Sequence, residues 1–556
     1  MEEVLDSLNV KLRAVNKVRD LINEYKTLCT DEERIVFTLN VMLEYNIIPK
    51  PCGDIKNAKQ SERFRDQGNK LFVSTSLESH TCIEALKLYT KSIAYAPYPS
   101  QQLAIAYANR SAVLIKLHKY ELCVQDIDRA LTMSHLLLKN ICAKLYVRKV
   151  ECLTMMKDPH MEDVIKEVQS CLENLSLDNE IKKKLDIKLN SAKNVSVYQE
   201  VKKENIMTQL QHPKIITYNV EIPCASDAVA IKYNTEYGRH IVATREICPG
   251  EIIAKEKLYW MLLSPANLLT HCSNCLEVSW ANIPCENCTY AMYCSEKCKS
   301  MEWEKYHDVE CAVFPSMSKM NFSKLDLLSL RLAIQAVRDA KSMQELREEL
   351  IEVDSCDNPR IKGFTKDGIY SSNKYRSILS LVTHTDERSV HDLFRRSLDA
   401  SFILYFIATC TNMFGSPLSK NLSVLIKNID VIFVGGLIMR HQQLIPSNVH
   451  SVYSKSNCII IYTMYPIKTG EQLFDNYGQH YAITSKAIRQ QELKLFVIVL
   501  IMNKYIVDKH IIDNLLTMVK VLYDLVPMPC EEMNNVIETL KRVYDLNGNR
   551  FEIPNI

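Results

Sequence analysis

The chain has 556 residues, 24% of them charged, and the two signs nearly cancel to a formal net charge of +2. This length exceeds what one hydrophobic core supports and predicts about three to four domains. The balanced charge argues against a surface dedicated to nucleic acid, which needs clustered positive charge.

Only 12 residues are glycine, which favours a helix-rich protein over a turn-dense β protein. The chain opens with the amphipathic pattern MEEVLDSLNVKLRAVNKVRDL, which predicts helices rather than a signal peptide. Its longest apolar run, LFVIVLIM at 495–502, is far shorter than the ~20 residues that span a bilayer. Outside 272–311 the cysteines show no pairing pattern, as is typical where thiols stay reduced. We therefore expect a soluble, intracellular protein, cytoplasmic and nuclear.

Helix pairs follow one another after residue 60, in stretches such as ERFRDQGNKLF, CIEALKLYTKSIAYAP and YANRSAVLIKL. Small residues (Gly68, Ala85, Ala108) stand at the expected helix crossings, and Pro97 follows the second helix. The spacing of about 34–40 residues is typical of stacked helix-turn-helix repeats. The stretch 61–175 resembles about three tetratricopeptide repeats.

That resemblance implies a peptide-binding site. In a subset of such repeats, cations and amides at matching places grip the C-terminal carboxylates of an acidic partner peptide, such as the tail of a chaperone. The implied residues are Arg65, Asn69, Asn109, Lys144 and Arg148. Cations and amides together suit a terminal carboxylate plus an acidic side chain. The alternative is that these are ordinary solvated polar positions of a repeat.

The segment CSNCLEVSWANIPCENCTYAMYCSEKCKSMEWEKYHDVEC, residues 272–311, has the spacing of a metal-binding module. Each C-x-x-C places two thiolates on a tight turn, where they can share one tetrahedral zinc. The eight ligands are Cys272, Cys275, Cys285, Cys288, Cys294, Cys298, His307 and Cys311. Eight ligands make two closed sites, so we expect two structural Zn²⁺ ions that supply folding free energy to a segment with little apolar core.

This spacing resembles the MYND zinc finger, in which the ligands interleave. The resemblance implies that Cys272, Cys275, Cys294 and Cys298 hold one zinc, and that Cys285, Cys288, His307 and Cys311 hold the other. MYND modules bind proline-rich peptides or pack structurally, and the residues do not separate these roles.

Strand-like segments joined by tight turns flank the finger on both sides. NTEYGRHIVATREICPGEIIAKEKLYW precedes it at 234–260, and NCIIIYTMYPIKTGEQLFDNYG follows at 457–478. This order of parts resembles the SET-and-MYND family of lysine methyltransferases, in particular the members with N-terminal tetratricopeptide repeats. The resemblance implies a helix-rich α+β fold. The expected divisions are N-terminal helices at 1–60, repeats at 61–200, a first SET part at 215–271, the finger at 272–311, a helical insertion at 312–445, a second SET part at 446–485 and a C-terminal helical region at 486–556.

The family's reaction transfers a methyl group from S-adenosylmethionine to a protein lysine. The cofactor-binding residues that the resemblance implies are Tyr237, Gly238, Arg239, Asn448 and Phe496. Tyr477 matches the catalytic tyrosine, whose hydroxyl would orient the target amine. An amine with a solution pKa near 10.4 must lose a proton before it attacks.

Two departures from the family pattern bear on activity. The family's NHSC-type loop is missing between Asn448 and the strand that leads to Tyr477. Ile498, Leu500 and Asn503 stand where the family has the thiolates of a third zinc site. Two interpretations remain open: a protein-lysine methyltransferase whose activity these losses impair or abolish, and a non-catalytic adaptor. The adaptor would bind acidic C-terminal peptides through the repeats and proline-rich partners through the finger.

Overall fold

The computed structural model describes residues 1–53, 55–73, 79–158, 161–174, 215–448 and 458–474, with residues 183, 187, 190, 516–519 and 521 as short pieces. Within these residues the protein is a helix-rich α+β fold, as the sequence predicts. None of the described helices is long and apolar enough to cross a membrane.

The described α-helices are Glu2–Ala14 (α1), Val18–Tyr25 (α2), Asp31–Glu44 (α3), Ala58–Val73 (α4), Ser79–Tyr95 (α5), Gln101–Lys116 (α6), Tyr120–Leu131 (α7), Lys139–Met156 (α8), Met161–Asn174 (α9), Glu296–Glu302 (α10), Asp308–Lys319 (α11), Lys324–Asp339 (α12), Met343–Asp354 (α13), Tyr375–Leu379 (α14), Val390–Cys410 (α15), Leu422–Leu425 (α16) and Ile429–Asn448 (α17). The described strands are Val229–Asn234 (β1), Gly238–Ala243 (β2), Ile252–Lys257 (β3), Ile283–Pro284 (β4), Met292–Tyr293 (β5) and Cys458–Tyr462 (β6).

The repeat segment, α4 to α9, stacks consecutive helices against one another. Gly68 on α4 permits close approach to α5, because a Cβ there would stand 2.8 Å from Cε1 of Tyr89. Ala85 and Ala108 are buried in the same core, at the helix crossings that the sequence indicates. Small side chains at these points let neighbouring helix backbones pack closely.

The N-terminal helices pack with the helices that follow the finger. α3 begins at a capping box, in which Thr30 and Glu33 each accept a hydrogen bond from the other's backbone amide. It lies against α15 and α17, which also contact each other. Gly435 on α17 lies tightly in this core, since a Cβ there would stand 2.7 Å from Cδ2 of Leu404. Residues separated by hundreds of positions therefore share one apolar core.

The β unit draws its strands from both sides of the finger. β1 and β2 form an antiparallel hairpin that ends with Asn234 opposite Gly238. β3, which precedes the finger, pairs antiparallel with β6, which follows it. A further bridge joins Val242 to Gln472. The β unit is therefore formed by segments of the chain that lie before and after the finger.

Candidate metal centre and flanking sites

The ligand side chains of the finger lie in two groups of four, and within each group the ligand atoms are all within 4.8 Å of one another. The first group is Cys272, Cys275, Cys294 and Cys298, and the second is Cys285, Cys288, His307 and Cys311. These are the two interleaved sets that the MYND resemblance implies.

Local turns position the first group. Leu276 takes a positive φ of 60° directly after Cys275 and closes the tight turn there. Ser295 caps α10 by accepting a hydrogen bond from the amide of Cys298, which places Cys298 one helical turn after Cys294. Sγ of Cys294 lies 3.8 Å from Sγ of Cys275 and 3.5 Å from Sγ of Cys298.

All four residues of the second group are buried. Sγ of Cys285 lies 3.7 Å from Sγ of Cys311, and Sγ of Cys288 lies 3.4 Å from Nε2 of His307. Ligands about 2.3 Å from a tetrahedral zinc stand about 3.8 Å apart. The spacing and chemistry of both groups therefore fit closed, structural zinc sites.

The repeats form hydrogen bonds to the backbone of the finger at a buried ion pair. Arg110 and Asp126 are both 0% exposed, and the guanidinium donates to both carboxylate oxygens at 2.6 and 2.8 Å. The same guanidinium donates to the carbonyl of Asn282 at 2.9 Å, and Arg129 donates to the carbonyl of Ala281 at 2.6 Å. Sequence reasoning missed these contacts, because an arginine on a repeat helix carries no local sign of burial.

The predicted cofactor turn connects β1 to β2. Gly238 adopts a positive φ of 64°, and no heavy atom lies within 4 Å of where its Cβ would stand. Tyr237 is 50% exposed beside it. Arg239 instead directs its guanidinium into the protein, where it donates to the carbonyls of Lys362 and Ser380. Burial lowers the pKa of this guanidinium. The turn therefore offers an open backbone at Gly238 and a structural anchor at Arg239.

The segment after β6 runs alongside β2 toward this turn. The amide of Leu473 donates to the carbonyl of Ile241 at 2.9 Å. Asn448 is the last residue of α17. Tyr477 and Phe496 lie outside the described residues, so their placement stays a prediction.

Two of the implied peptide-binding residues meet between neighbouring repeat helices. Nδ2 of Asn109 donates to Oδ1 of Asn69 at 2.9 Å, and the hydroxyl of Tyr89 donates to the same oxygen at 2.9 Å. Burial raises the pKa of Tyr89 to about 12, so the hydroxyl remains a donor at neutral pH.

The implied cations of this site differ in their surroundings. Arg148 donates to the carbonyl of Ala108 at 2.9 Å and to the hydroxyl of Ser111 at 2.6 Å, so it already ties α8 to α6. Arg65 contacts Asp66 at 3.4 Å, and Lys144 is exposed. Arg65 and Lys144 are thus the cations with room to meet a ligand.

Known proteins match the finger and also longer stretches of the chain. The family model described as "MYND finger" matches residues 272–311. "Protein-lysine N-methyltransferase SMYD4" of Gallus gallus is 27% identical over 373 residues, which is 59% of this chain and 48% of that protein. The proteins of the same name from Pongo abelii and Mus musculus are 26% and 24% identical, over 61% and 70% of this chain and 47% and 54% of their own lengths.

Residues 272–311, with their two ligand sets, are similar to the MYND finger. Its similarity to curated protein-lysine N-methyltransferases confirms the resemblance to the SET-and-MYND family. The chain spans about half the length of the curated relatives it matches.

Proposed function

We propose that the chain is an S-adenosylmethionine-dependent protein-lysine N-methyltransferase of the SET-and-MYND type. The names of its relatives support this proposal. The observation that carries it is the open, positive-φ backbone of Gly238 in a hairpin beside which the chain returns after the finger. An uncrowded backbone allows a ligand to approach closely.

Each residue has a separate task in this proposal. Gly238 presents its backbone to the cofactor, which when bound supplies an electrophilic methyl group. Tyr477, three residues beyond the last described residue of its segment, orients the neutral target amine for attack. Catalysis of this kind works by positioning, and a misplacement of about 1 Å costs roughly 10²-fold in rate.

The two departures at the missing loop and at 498–503 predict weak cofactor binding. Each buried hydrogen bond left unmade costs about 1–3 kcal/mol. We therefore expect a methyltransferase with low affinity for S-adenosylmethionine rather than a tight binder.

Calorimetry with S-adenosylmethionine and S-adenosylhomocysteine tests this proposal. Gly238→Val should reduce binding at least tenfold, because a branched side chain strains the positive φ and covers the open backbone. Gly368→Val is the matched control, since Gly368 also has a positive φ (74°) and open space but lies in the turn closed by Thr365 and Ile369. No heat of binding from the unsubstituted chain, or equal losses in both variants, would reject the cofactor site.

Tyr477→Phe separates binding from chemistry. It should leave the affinity for S-adenosylmethionine unchanged and lower transfer of a tritiated methyl group to protein. If the transfer rate is unaltered, Tyr477 is not the orienting residue.

A second candidate function is that of a non-catalytic adaptor, and the contact between Asn69 and Asn109 favours it. Its test is a fluorescent acidic peptide with a free C-terminal carboxylate, compared with the same peptide amidated. The double variant Arg65→Ala, Lys144→Ala should weaken binding of the free acid only. Arg148 is a poor choice for this test, because its removal would also break the contact between α8 and α6. Equal binding of the two peptides would exclude a carboxylate clamp.

Proline-rich partners would have to bind the side of the finger that the repeats do not cover. Trp280 and Met292 are buried in the core of the repeats. Trp303, in contrast, is 40% exposed beside a cavity of about 280 Å³ that Tyr293 and Lys299 also line. Trp303→Ala should abolish binding of a proline-rich peptide if the finger recruits one, and unchanged binding would exclude this surface.

A further inference from the structure

We propose that Glu310 and Arg331 position His307 for metal binding, so that helix α12, outside the finger, sets the zinc affinity of the second site. This inference concerns the metal centre and does not depend on methyl transfer. It rests on a chain of buried polar contacts that leads from His307 into the helical core.

The backbone around His307 turns its two ring nitrogens to different partners. Residues Trp303–His307 form a π-helical turn between α10 and α11, a feature that is frequent at functional sites. Nε2 of His307 faces Sγ of Cys288 at 3.4 Å, and Nδ1 lies 3.9 Å from Oε2 of Glu310. A ligating histidine characteristically donates its other N–H to a carboxylate, which fixes the tautomer and the ring orientation. Glu310 stands in the place of that carboxylate.

Arg331 in turn holds Glu310. Its Nε and one terminal nitrogen each donate to one carboxylate oxygen of Glu310 at 2.6 Å, a bidentate pair. The guanidinium also stacks 4.0 Å from the centre of the Tyr306 ring. Both partners of the pair are buried. A bidentate arginine fixes the plane of the carboxylate as well as its charge.

The charge balance gives Arg331 a second role. Three thiolates and one Zn²⁺ leave a net negative charge at the second site, and the buried carboxylates of Glu302 and Glu310 add to it. Arg331 reaches both carboxylates, since it lies 3.6 Å from Glu302. Because burial of uncompensated charge costs free energy, the positive charge of Arg331 favours the zinc-bound state of the second site.

The test compares the two zinc sites within the full-length chain. Zinc is withdrawn by increasing concentrations of a chelator, and the zinc ions that remain bound are counted by native mass spectrometry. Glu310→Gln should release one of the two ions at about 10–100-fold lower chelator activity and leave the other unchanged, as is typical for loss of a metal site's supporting carboxylate. Cys288→Ser and Cys275→Ser assign the ions, because each removes a ligand from one site only.

A second variant tests whether the loss of zinc in Glu310→Gln is caused by misfolding. Arg331→Met combined with Glu302→Gln and Glu310→Gln leaves no unpaired charge among the three residues and should show the same selective loss. The control is Asp354→Asn, which breaks a bidentate pair with Arg440 (2.7 Å for both bonds) away from the finger. Cobalt bound at the second site should also show a changed visible spectrum in Glu310→Gln.

Only site-selective loss supports the proposal. If both variants release the two ions together, or release neither more readily than the unsubstituted chain, the pair is a structural contact and does not position His307. Loss of the ion that Cys275→Ser removes would equally overturn the proposal.

Discussion

The guanidinium of Arg110, on α6, donates to the backbone carbonyl of Asn282 in the zinc finger across 2.9 Å. The pair that Arg110 forms with Asp126 is fully buried, so this contact lies inside a buried interface between repeats and finger. The finger is therefore packed as part of the repeat core on this side.

Breaking the buried pair should destabilise the repeats. Among the described residues, Arg110→Met leaves Asp126 with its single hydrogen bond from Arg129, and removal of one partner of a buried pair costs about 3–5 kcal/mol. The double variant Arg110→Met, Asp126→Leu should lose less, because no charge is stranded. Hydrogen exchange in α6 and α7 measures both free energies of opening. Lys149→Met, which breaks a partly exposed pair with Asp128, is the control and should cost no more than about 1 kcal/mol.

Removing zinc should loosen the repeats as well as the finger. A chelator is expected to abolish exchange protection in 272–311 and to lower it in α6 and α7, which the finger contacts through Ala281 and Asn282. Helix α9 packs in a separate small cluster and serves as the internal reference. Zinc added back should restore protection. Unchanged protection in α6 and α7 would contradict coupling between the two parts.

Gly68→Ala should destabilise the repeats although alanine favours helices. The new Cβ would meet the ring of the buried Tyr89 at 2.8 Å, and overpacking costs about 1–3 kcal/mol, against a gain of about 1 kcal/mol in helix propensity. Adding Tyr89→Leu should recover part of the loss. Gly53→Ala, with no heavy atom within 4 Å, should leave stability nearly unchanged. Thermal unfolding ranks the variants, and equal effects at both glycines would be inconsistent with a crowded crossing.

Acid should destabilise the helical core through His441. Burial lowers its pKa to about 3, and the neutral ring accepts from the hydroxyl of Tyr375 at 2.6 Å. As the pH is lowered, the histidine of the unfolded chain takes up a proton near pH 6.5, whereas the buried histidine of the folded chain does not. This residue therefore lowers the free energy of unfolding by about 1.4 kcal/mol for each unit that the pH falls between about 6.5 and 3. Urea unfolding at pH 7, 5 and 4 measures the slope. His441→Gln should show a shallower slope, and parallel curves would contradict a buried neutral histidine.

Much of the finger could be predicted because its information is local. The C-x-x-C pairs and the spacing of His307 and Cys311 identify the eight ligands, and the two groups lie as the MYND resemblance implies. The repeats were likewise indicated by small residues at a regular period, such as Gly68.

Contacts between distant segments could not be predicted in the same way. Arg239 matches a cofactor turn by its neighbours, yet its side chain anchors Lys362 and Ser380, more than 120 positions away. From the sequence, Glu310 would be expected to be a solvated helix residue next to a zinc ligand. The structure shows instead that it pairs with Arg331. No periodicity or spacing encodes such partners, since they depend on how whole helices pack.

The pairing of β3 with β6 has a consequence for synthesis on the ribosome. The hydroxyl of Thr463 donates to the carbonyl of Cys248, which was made 215 residues earlier. At about 5–20 residues per second, the early strand waits roughly 10–40 s for its partner to emerge. During that interval its edge is open to neighbouring nascent chains, so this β unit should depend on chaperones more than the helical repeats, whose contacts form as they are translated.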